Sequence, residues 1–160
     1  LFAATYAIGS VTAFVVIEYL HGVRPEWDGS VSGLAGLARR HPAASLSLTI
    51  AMLSMTGIPL TIGFWGKFFV FYAATSAGFI WLTIVGLIGS VVSFGYYGAV
   101  IRSLYIDAPT GDAASVEDSE DSMIQSSPLW PSVVGAAAIL AGGVAPIAGG
   151  LALVYALFRL

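Results

Sequence analysis

Leu53-Ser-Met-Thr-Gly-Ile-Pro-Leu-Thr-Ile-Gly-Phe-Trp-Gly-Lys-Phe-Phe69 sets one lysine, one proline and three glycines inside a long apolar run. From Ala43 to Ile106 the only formally charged residues are Lys67 and Arg102. Arg102 stands close enough to the end of its segment to reach water, and Lys67 does not. The run from Ala43 to about Ala77 is too long for one straight span. Proline removes a backbone donor and clashes with the preceding turn, while nearby glycines lower the cost of unwinding. Gly57, Pro59, Gly63 and Gly66 therefore predict a helix broken at mid-membrane. At about 1.5 Å per residue, 43–57 rises about 22 Å from one face and 68–77 about 15 Å from the other. Lys67 falls between them. Irregular backbone at that depth is tolerated only where it is buried in protein or lines a wet cavity, so the segment should face other helices. The plainer reading of these glycines and the proline is a kink that permits tight packing.

Working outward, the composition agrees with a membrane setting. Of 160 residues, 58% are hydrophobic and 9% charged, far from the roughly 25% charged of a soluble domain, and the mean hydropathy is +0.89. Several apolar runs could each cross a hydrocarbon core of about 30 Å, and they are apolar on every face rather than alternating as barrel strands do. The expected class is all-α integral membrane, with four spans over about 1–20, 43–77, 79–106 and 129–145 and a short terminal helix over about 147–159. The absence of cysteine excludes disulfides, thiolate-held clusters and thiol catalysis in this chain. The net charge of −3 gives no reason to expect nucleic acid. A start at Leu1, directly in an apolar run, suggests a piece of a longer polypeptide.

Glu18 is the one charge of the first span. It could serve as a proton-relay carboxylate, but in the last turn, three residues before His21, an interfacial position is favoured. The connection from His21 to Pro42 is polar. Within it, 31–40 places Leu34 and Leu37 on one side of a short helix ending in Arg39 and Arg40, which suits an interfacial position. His41 has no partner at metal-ligand spacing, so a solvated or capping role is favoured. In the third span Gly86 to Ser90 and Gly89 to Ser93 follow small-xxx-small spacing, a weak signal for helix approach. Tyr96, Tyr97 and Tyr105 read as an interfacial belt, although Ser93 and Tyr96 lie deep enough to leave a proton wire open. From Asp107 to Ser127 a solvated acidic loop is expected, since its acids lack the spacing of a calcium loop. The positions of Arg24, Arg39, Arg40 and Arg102 make 21–42 and 107–127 cytoplasmic, with Arg159 against the rule.

Lys67 is the candidate functional group. Low dielectric penalises the charged form of a buried ammonium, so its proton can be exchanged near neutral pH. Half-helix ends supply unpaired amides and carbonyls that make its proton affinity sensitive to small movements. The alternative is a structural ion pair with another helix; no acid in this sequence lies at comparable depth, so either the partner stands in another part of the protein or the lysine spends time neutral, and the pattern leaves both open. Thr56, Thr61, Ser93 and Tyr96 are candidate polar-path residues.

The same residues carry a resemblance. The stretch from Leu53 to Phe68 is similar to the GIPxTxGFxGKF signature of subunit N of bacterial NADH-quinone oxidoreductase, respiratory complex I. Sister antiporter-like subunits usually have a glutamate where Lys67 stands, or Ser-Lys in place of Gly66-Lys67. Gly33-Leu34-Ala35-Gly36-Leu37, the Tyr105 region leading into Ala108-Pro109, and Gly143-Val144-Ala145-Pro146 resemble subunit N as well. The resemblance covers essentially the whole chain but only about the C-terminal third of such a subunit. It implies that 1–20 is the eleventh helix, 43–77 the broken twelfth, 79–106 the thirteenth and 129–144 the last. The first inverted repeat, with its other buried lysines and its glutamate, lies outside this chain. Lys67 would sit on a central hydrophilic axis that couples quinone reduction to proton translocation. NADH, FMN, iron-sulfur clusters and the quinone site would belong to other subunits, with none in this chain. The implied partners are M-like and K-like membrane subunits, the lateral helix of the L-like subunit, protons and the lipid of the bacterial inner membrane. Leu60 departs from the family, many members having a second proline there, which weakens the expected rigidity of the break. Glu18 maps onto no functional residue of the family. An Mrp-type cation/proton antiporter subunit shares the fold and also uses buried lysines, and a non-catalytic membrane scaffold is the rival of another class.

Overall fold

A computed structural model of the chain describes residues 2–25, 27–108 and 128–157, the last stretch with side chains to Ala148. The described residues are helical, in the order α1 (Phe2–Val23), a 3-10 turn (Ser32–Leu34), α2 (Leu37–Arg40), α3 (Pro42–Thr56), α4 (Ile62–Ser76), α5 (Ile80–Tyr105) and α6 (Trp130–Leu157). Three helices are long and apolar enough to cross a membrane: Phe2–Val23, Ile80–Tyr105 and the part Trp130–Ala148 of α6. At 15 residues each, α3 and α4 would reach only about 22 Å, short of a core of about 30 Å.

All these helices are apolar around their circumference, so side-chain size rather than hydrophobicity selects the buried face. In α1 the buried positions are Thr5, Gly9, Thr12, Ala13, Val16, Leu20 and Val23, one stripe at helical spacing. Small residues dominate its first half. A Cβ on Gly9 would stand 3.1 Å from Met55 Cγ, so α1 and α3 approach closely there. The same preference holds on α5, which, apart from Leu104, buries only the small Ser93 and Ser103 and leaves Trp81, Ile88, Val91, Val92 and Phe94 exposed. Small groups face protein and large apolar ones face outward, the pattern expected where the surroundings are lipid or further helices rather than water. α1 packs on α3, α6 and α4, while α5 runs along α3 and α4.

The apolar core gathers towards one end, where Leu20 of α1, Leu37 of α2, Leu48 of α3 and Leu104 of α5 are fully buried. The connection over 24–41 is pinned there. Ser103 Oγ donates to the Val31 carbonyl at 2.6 Å and the Gly36 amide to the Ser103 carbonyl at 3.3 Å. The expected single short helix over 31–40 is instead a 3-10 turn and the four-residue α2, divided at Gly36, whose φ is 70°. Leu34 and Leu37 turn into the protein core rather than towards an interface, because Leu104 and α3 offer them apolar partners. His41 is buried rather than solvated, with Nδ1 3.2 Å from the Tyr19 hydroxyl, and it stands at the capping position of α3, where its carbonyl accepts from the Ser45 amide at 3.0 Å. Within the connection the Ser30 amide donates to Asp28 at 2.8 Å, and hydrogen bonding from Ser30 holds the Asp28 carboxyl below its ordinary range.

The hydropathy of the last residues leaves a terminal helix at the interface and a continued span equally open; α6 continues through Pro146 to Leu157, without the division expected near 145. A proline forfeits one ladder bond, but away from water the freed backbone has no better partner than the helix itself. The expected acidic loop lies, beyond Ala108, outside the described residues, as do Glu26 and Arg159.

Candidate functional site

The site begins at the end of α3. Gly57 adopts φ 91°, a left-handed conformation that glycine takes without steric cost. Its amide donates to the Leu53 and Ser54 carbonyls, and the Ile58 amide reaches back to Leu53 at 3.1 Å. This closure satisfies the carbonyls of 53 and 54 and leaves that of Thr56 pointing past the helix end. Five residues later α4 starts. Its second residue, Gly63, donates its amide to Ser54 Oγ at 3.2 Å, so a hydroxyl of α3 caps α4. The approach is close enough that a Cβ on Gly63 would overlap the Ser54 carbonyl, and one on Gly66 would meet Thr5 Oγ1.

Lys67 sits in the second turn of α4. Helical side chains lean towards the N-terminus of their own helix, so the lysine folds back over the turn at 57–61. Its Nζ donates to the Thr56 carbonyl at 2.8 Å and to Ser90 Oγ of α5 at 3.3 Å. An ammonium at a carbonyl end is favoured by the helix dipole. Gly57 makes room for it, since a Cβ there would stand 2.9 Å from Lys67 Cδ. Neither partner is a carboxylate. In this chain Lys67 is half-buried rather than enclosed, and it lines two cavities at once.

Those cavities lie on either side of the seam between α4 and α5. The seam has three rungs: Lys67 to Ser90, the Phe71 ring against Gly86, and Thr75 to Thr83 with hydroxyls 3.0 Å apart. One cavity, of about 380 Å³, takes in Thr56, Gly57, Phe64, Tyr72 and Thr75. The other, of about 280 Å³, faces α1 and takes in Tyr6, Met55, Ser93, Tyr96 and Tyr97. Lys67, Phe71 and Ser90 belong to both.

The sequence candidates divide on this geometry. Thr56 contributes its carbonyl to the lysine, while its hydroxyl is spent on the Met52 carbonyl at 2.8 Å. The Thr61 hydroxyl is turned to the Ile58 carbonyl at 2.7 Å and lines neither cavity. Ser93 lines the second cavity but donates to the Ser90 carbonyl at 2.7 Å. Tyr96 lines it too, exposed, with its ring 4.4 Å from that of Tyr97. Pro59 lies in the turn, followed by Leu60 at a positive φ of 81°, a value no proline can adopt. Glu18 is exposed, beside Pro128 and Pro131, far along α1 from the lysine. Sequence reading missed Ser54 and Ser90. They stand 9 and 23 residues from the groups they bond, and one serine among many in apolar helices carries no local signal.

Fold and site together define a helical integral membrane protein with an ionisable group set between two cavities that are open on their outer sides. The model of the family described as NADH:quinone oxidoreductase/Mrp antiporter, TM matches residues 1–93, more than half of the chain, and the chain belongs to this family. Among curated relatives, NADH-quinone oxidoreductase subunit N 1 of Solibacter usitatus is 36% identical over 82% of the chain and 25% of its own length. Subunit N of Paramagnetospirillum magneticum is 38% identical over 68% of the chain and 22% of its own length. Subunit N of Trichlorobacter lovleyi is 42% identical over 63% and 20%. The chain thus spans about a quarter or less of the length of these relatives.

Proposed function

We propose that the chain is the C-terminal part of a subunit N, and that it couples electron transfer from NADH to quinone to proton translocation through Lys67. The observation that carries this is the lysine itself. It is one cation, held by a carbonyl and a hydroxyl instead of a carboxylate, on the partition between two cavities. A structural ion pair would show the opposite. Neutral partners can hold the ammonium and the amine alike, so a proton can leave towards one cavity and be replaced from the other without an ion pair being broken.

In this reading α3 and α4 are the halves of one span interrupted at 57–61, which gives four spans with α1, α5 and α6. The 24–41 connection faces the cytoplasm and the turn at Gly78 faces outward, following the arginines. Redox cofactors and the quinone site belong to other subunits. The outward-facing α5 and the open sides of both cavities are completed by the rest of the subunit and by M-like and K-like neighbours, with the lateral helix of the L-like subunit alongside.

The test is quinone-dependent proton pumping in vesicles bearing the full complex with Lys67→Ala, after assembly and NADH dehydrogenase activity have been checked. A large loss of coupled turnover with assembly intact is expected. Unchanged pumping would move the chain to the scaffold reading, in which the turn at 57–61 only packs against neighbours.

A further inference from the structure

Two cavities that share a wall imply that something in the wall keeps them apart. Of the three residues lining both, Lys67 and Ser90 are polar and bonded to each other, and Phe71 is apolar. Phe71 is one turn beyond Lys67 on α4, half-buried on the same face of the helix. Its ring edge lies over Gly86, where a Cβ would come within 2.5 Å of Cε1 and 3.1 Å of Cζ. Gly86 is thus a seat that only a residue without a side chain provides. Beyond the ring, Thr75 and Thr83 close the next rung with their hydroxyls. The wall therefore consists of one charged rung, one apolar rung and one hydroxyl rung.

We propose that Phe71, seated on Gly86, is the water seal of this partition, so that protons pass between the cavities by way of the Lys67–Ser90 rung. The proposal rests on the lysine reading above and adds to it the residue that makes the lysine obligatory. An apolar constriction of phenyl size excludes a continuous water column by dewetting. With the ring in place, a proton crosses at the polar rung, by binding to the amine of Lys67 and leaving the ammonium on the other side, directly or through the Ser90 hydroxyl bonded to it. Without it, the two volumes merge beside the lysine, and water carries protons past a group that no longer controls them. Small-xxx-small spacing at Gly86 and Ser90 thereby acquires a specific use: the glycine seats the seal and the serine holds the lysine.

The experiment uses the full complex in closed vesicles and reads protons pumped per NADH oxidised, together with the response of oxidation to an uncoupler. In Phe71→Ala the ratio is expected to fall several-fold while oxidation continues and ceases to be accelerated by uncoupler. Phe71→Leu, which keeps an apolar plug, should retain the ratio. Gly86→Ala, which displaces the ring without removing it, should lower the ratio in the same direction and serves if Phe71→Ala does not assemble. A normal ratio in assembled Phe71→Ala or Gly86→Ala overturns the seal. Lys67→Ala in the same vesicles separates the two ideas. Unchanged pumping there counts against the lysine reading, whereas lost pumping there beside normal Phe71→Ala counts against the seal alone.

Discussion

At the residue scale, Lys67 is defined by what it lacks as much as by what it touches. A half-buried ammonium held by a carboxylate would be fixed in its charged form; the Thr56 carbonyl at the end of α3 favours that form more weakly, and the Ser90 hydroxyl holds ammonium and amine alike. The two partners are unequal. The carbonyl at 2.8 Å lies at a helix end and carries the dipole of α3, while Ser90 stands at 3.3 Å and itself donates to the Gly86 carbonyl at 3.0 Å. Ser90→Ala should therefore lower coupled turnover between about twofold and tenfold, the worth of a hydrogen bond of about 0.5–1.5 kcal/mol, and less than Lys67→Ala does. Steady-state NADH-quinone turnover in assembled vesicles measures this. An effect as large as that of Lys67→Ala would mean that the serine, not the carbonyl, holds the ammonium. Leu60 shows the same economy of local causes. A leucine at φ 81° bears a strain of about 1–2 kcal/mol, and with 57% of it exposed there is little packing to offset that. The strain is held by the turn around it, whose Leu60 carbonyl lies against Gly143 of α6.

At the element scale, the meeting of α3 and α4 is a joint rather than a gap. Ser54 caps α4, Gly57 ends α3, and the Trp65 indole donates to the Gly143 carbonyl of α6 at 2.8 Å. That carbonyl lies three residues before Pro146, next to the Gly142 carbonyl whose ladder donor the proline removes. Gly63 is the tightest point of the joint. Gly63→Ala would drive a methyl into the Ser54 backbone, an overpacking that costs about 1–3 kcal/mol or more because neither helix backbone can yield alone. The expected outcome is loss of assembled complex on a native gel, with Gly89→Ala, whose Cβ would meet only open space, assembling normally. Normal assembly of Gly63→Ala would mean that the two helices are not held at this distance.

At the scale of the whole molecule, the charge pattern sets an orientation that this chain is well suited to test, because it contains no cysteine. Any cysteine introduced is unique within it. Arg39→Cys, exposed at the end of α2, should react with a membrane-impermeant maleimide only from the cytoplasmic side. Ala77→Cys, exposed at the end of α4 next to Gly78, should react only from the other. Intact cells compared with inverted vesicles give the reading. Labelling of both from one side would break the four-span arrangement, since an odd number of crossings must separate the two positions.

Composition and local stereochemistry suffice for a helical membrane chain, for an interruption after Gly57 and Pro59, and for Lys67 as the one charge between Ala43 and Arg102. Each follows from composition, from the stereochemistry of proline and glycine, and from the cost of an ammonium in hydrocarbon, all of which act locally along the chain. The interruption is confined to 57–61, and Gly63, Gly66 and Lys67, expected in or beside the break, lie within α4. The groups that the lysine meets are set by helix packing. Ser90 and Gly86 are brought to Lys67 and to Phe71, its neighbour one turn on, by the antiparallel return of α5 along α4, and α1 reaches the second cavity through Tyr6. Packing also turned Leu34, Leu37 and His41 inward, because their burial depends on Leu104 and Tyr19, residues far away in sequence. In helices apolar on every side, no periodicity marks the inner face. Packing chooses it by size, and size complementarity is a property of pairs.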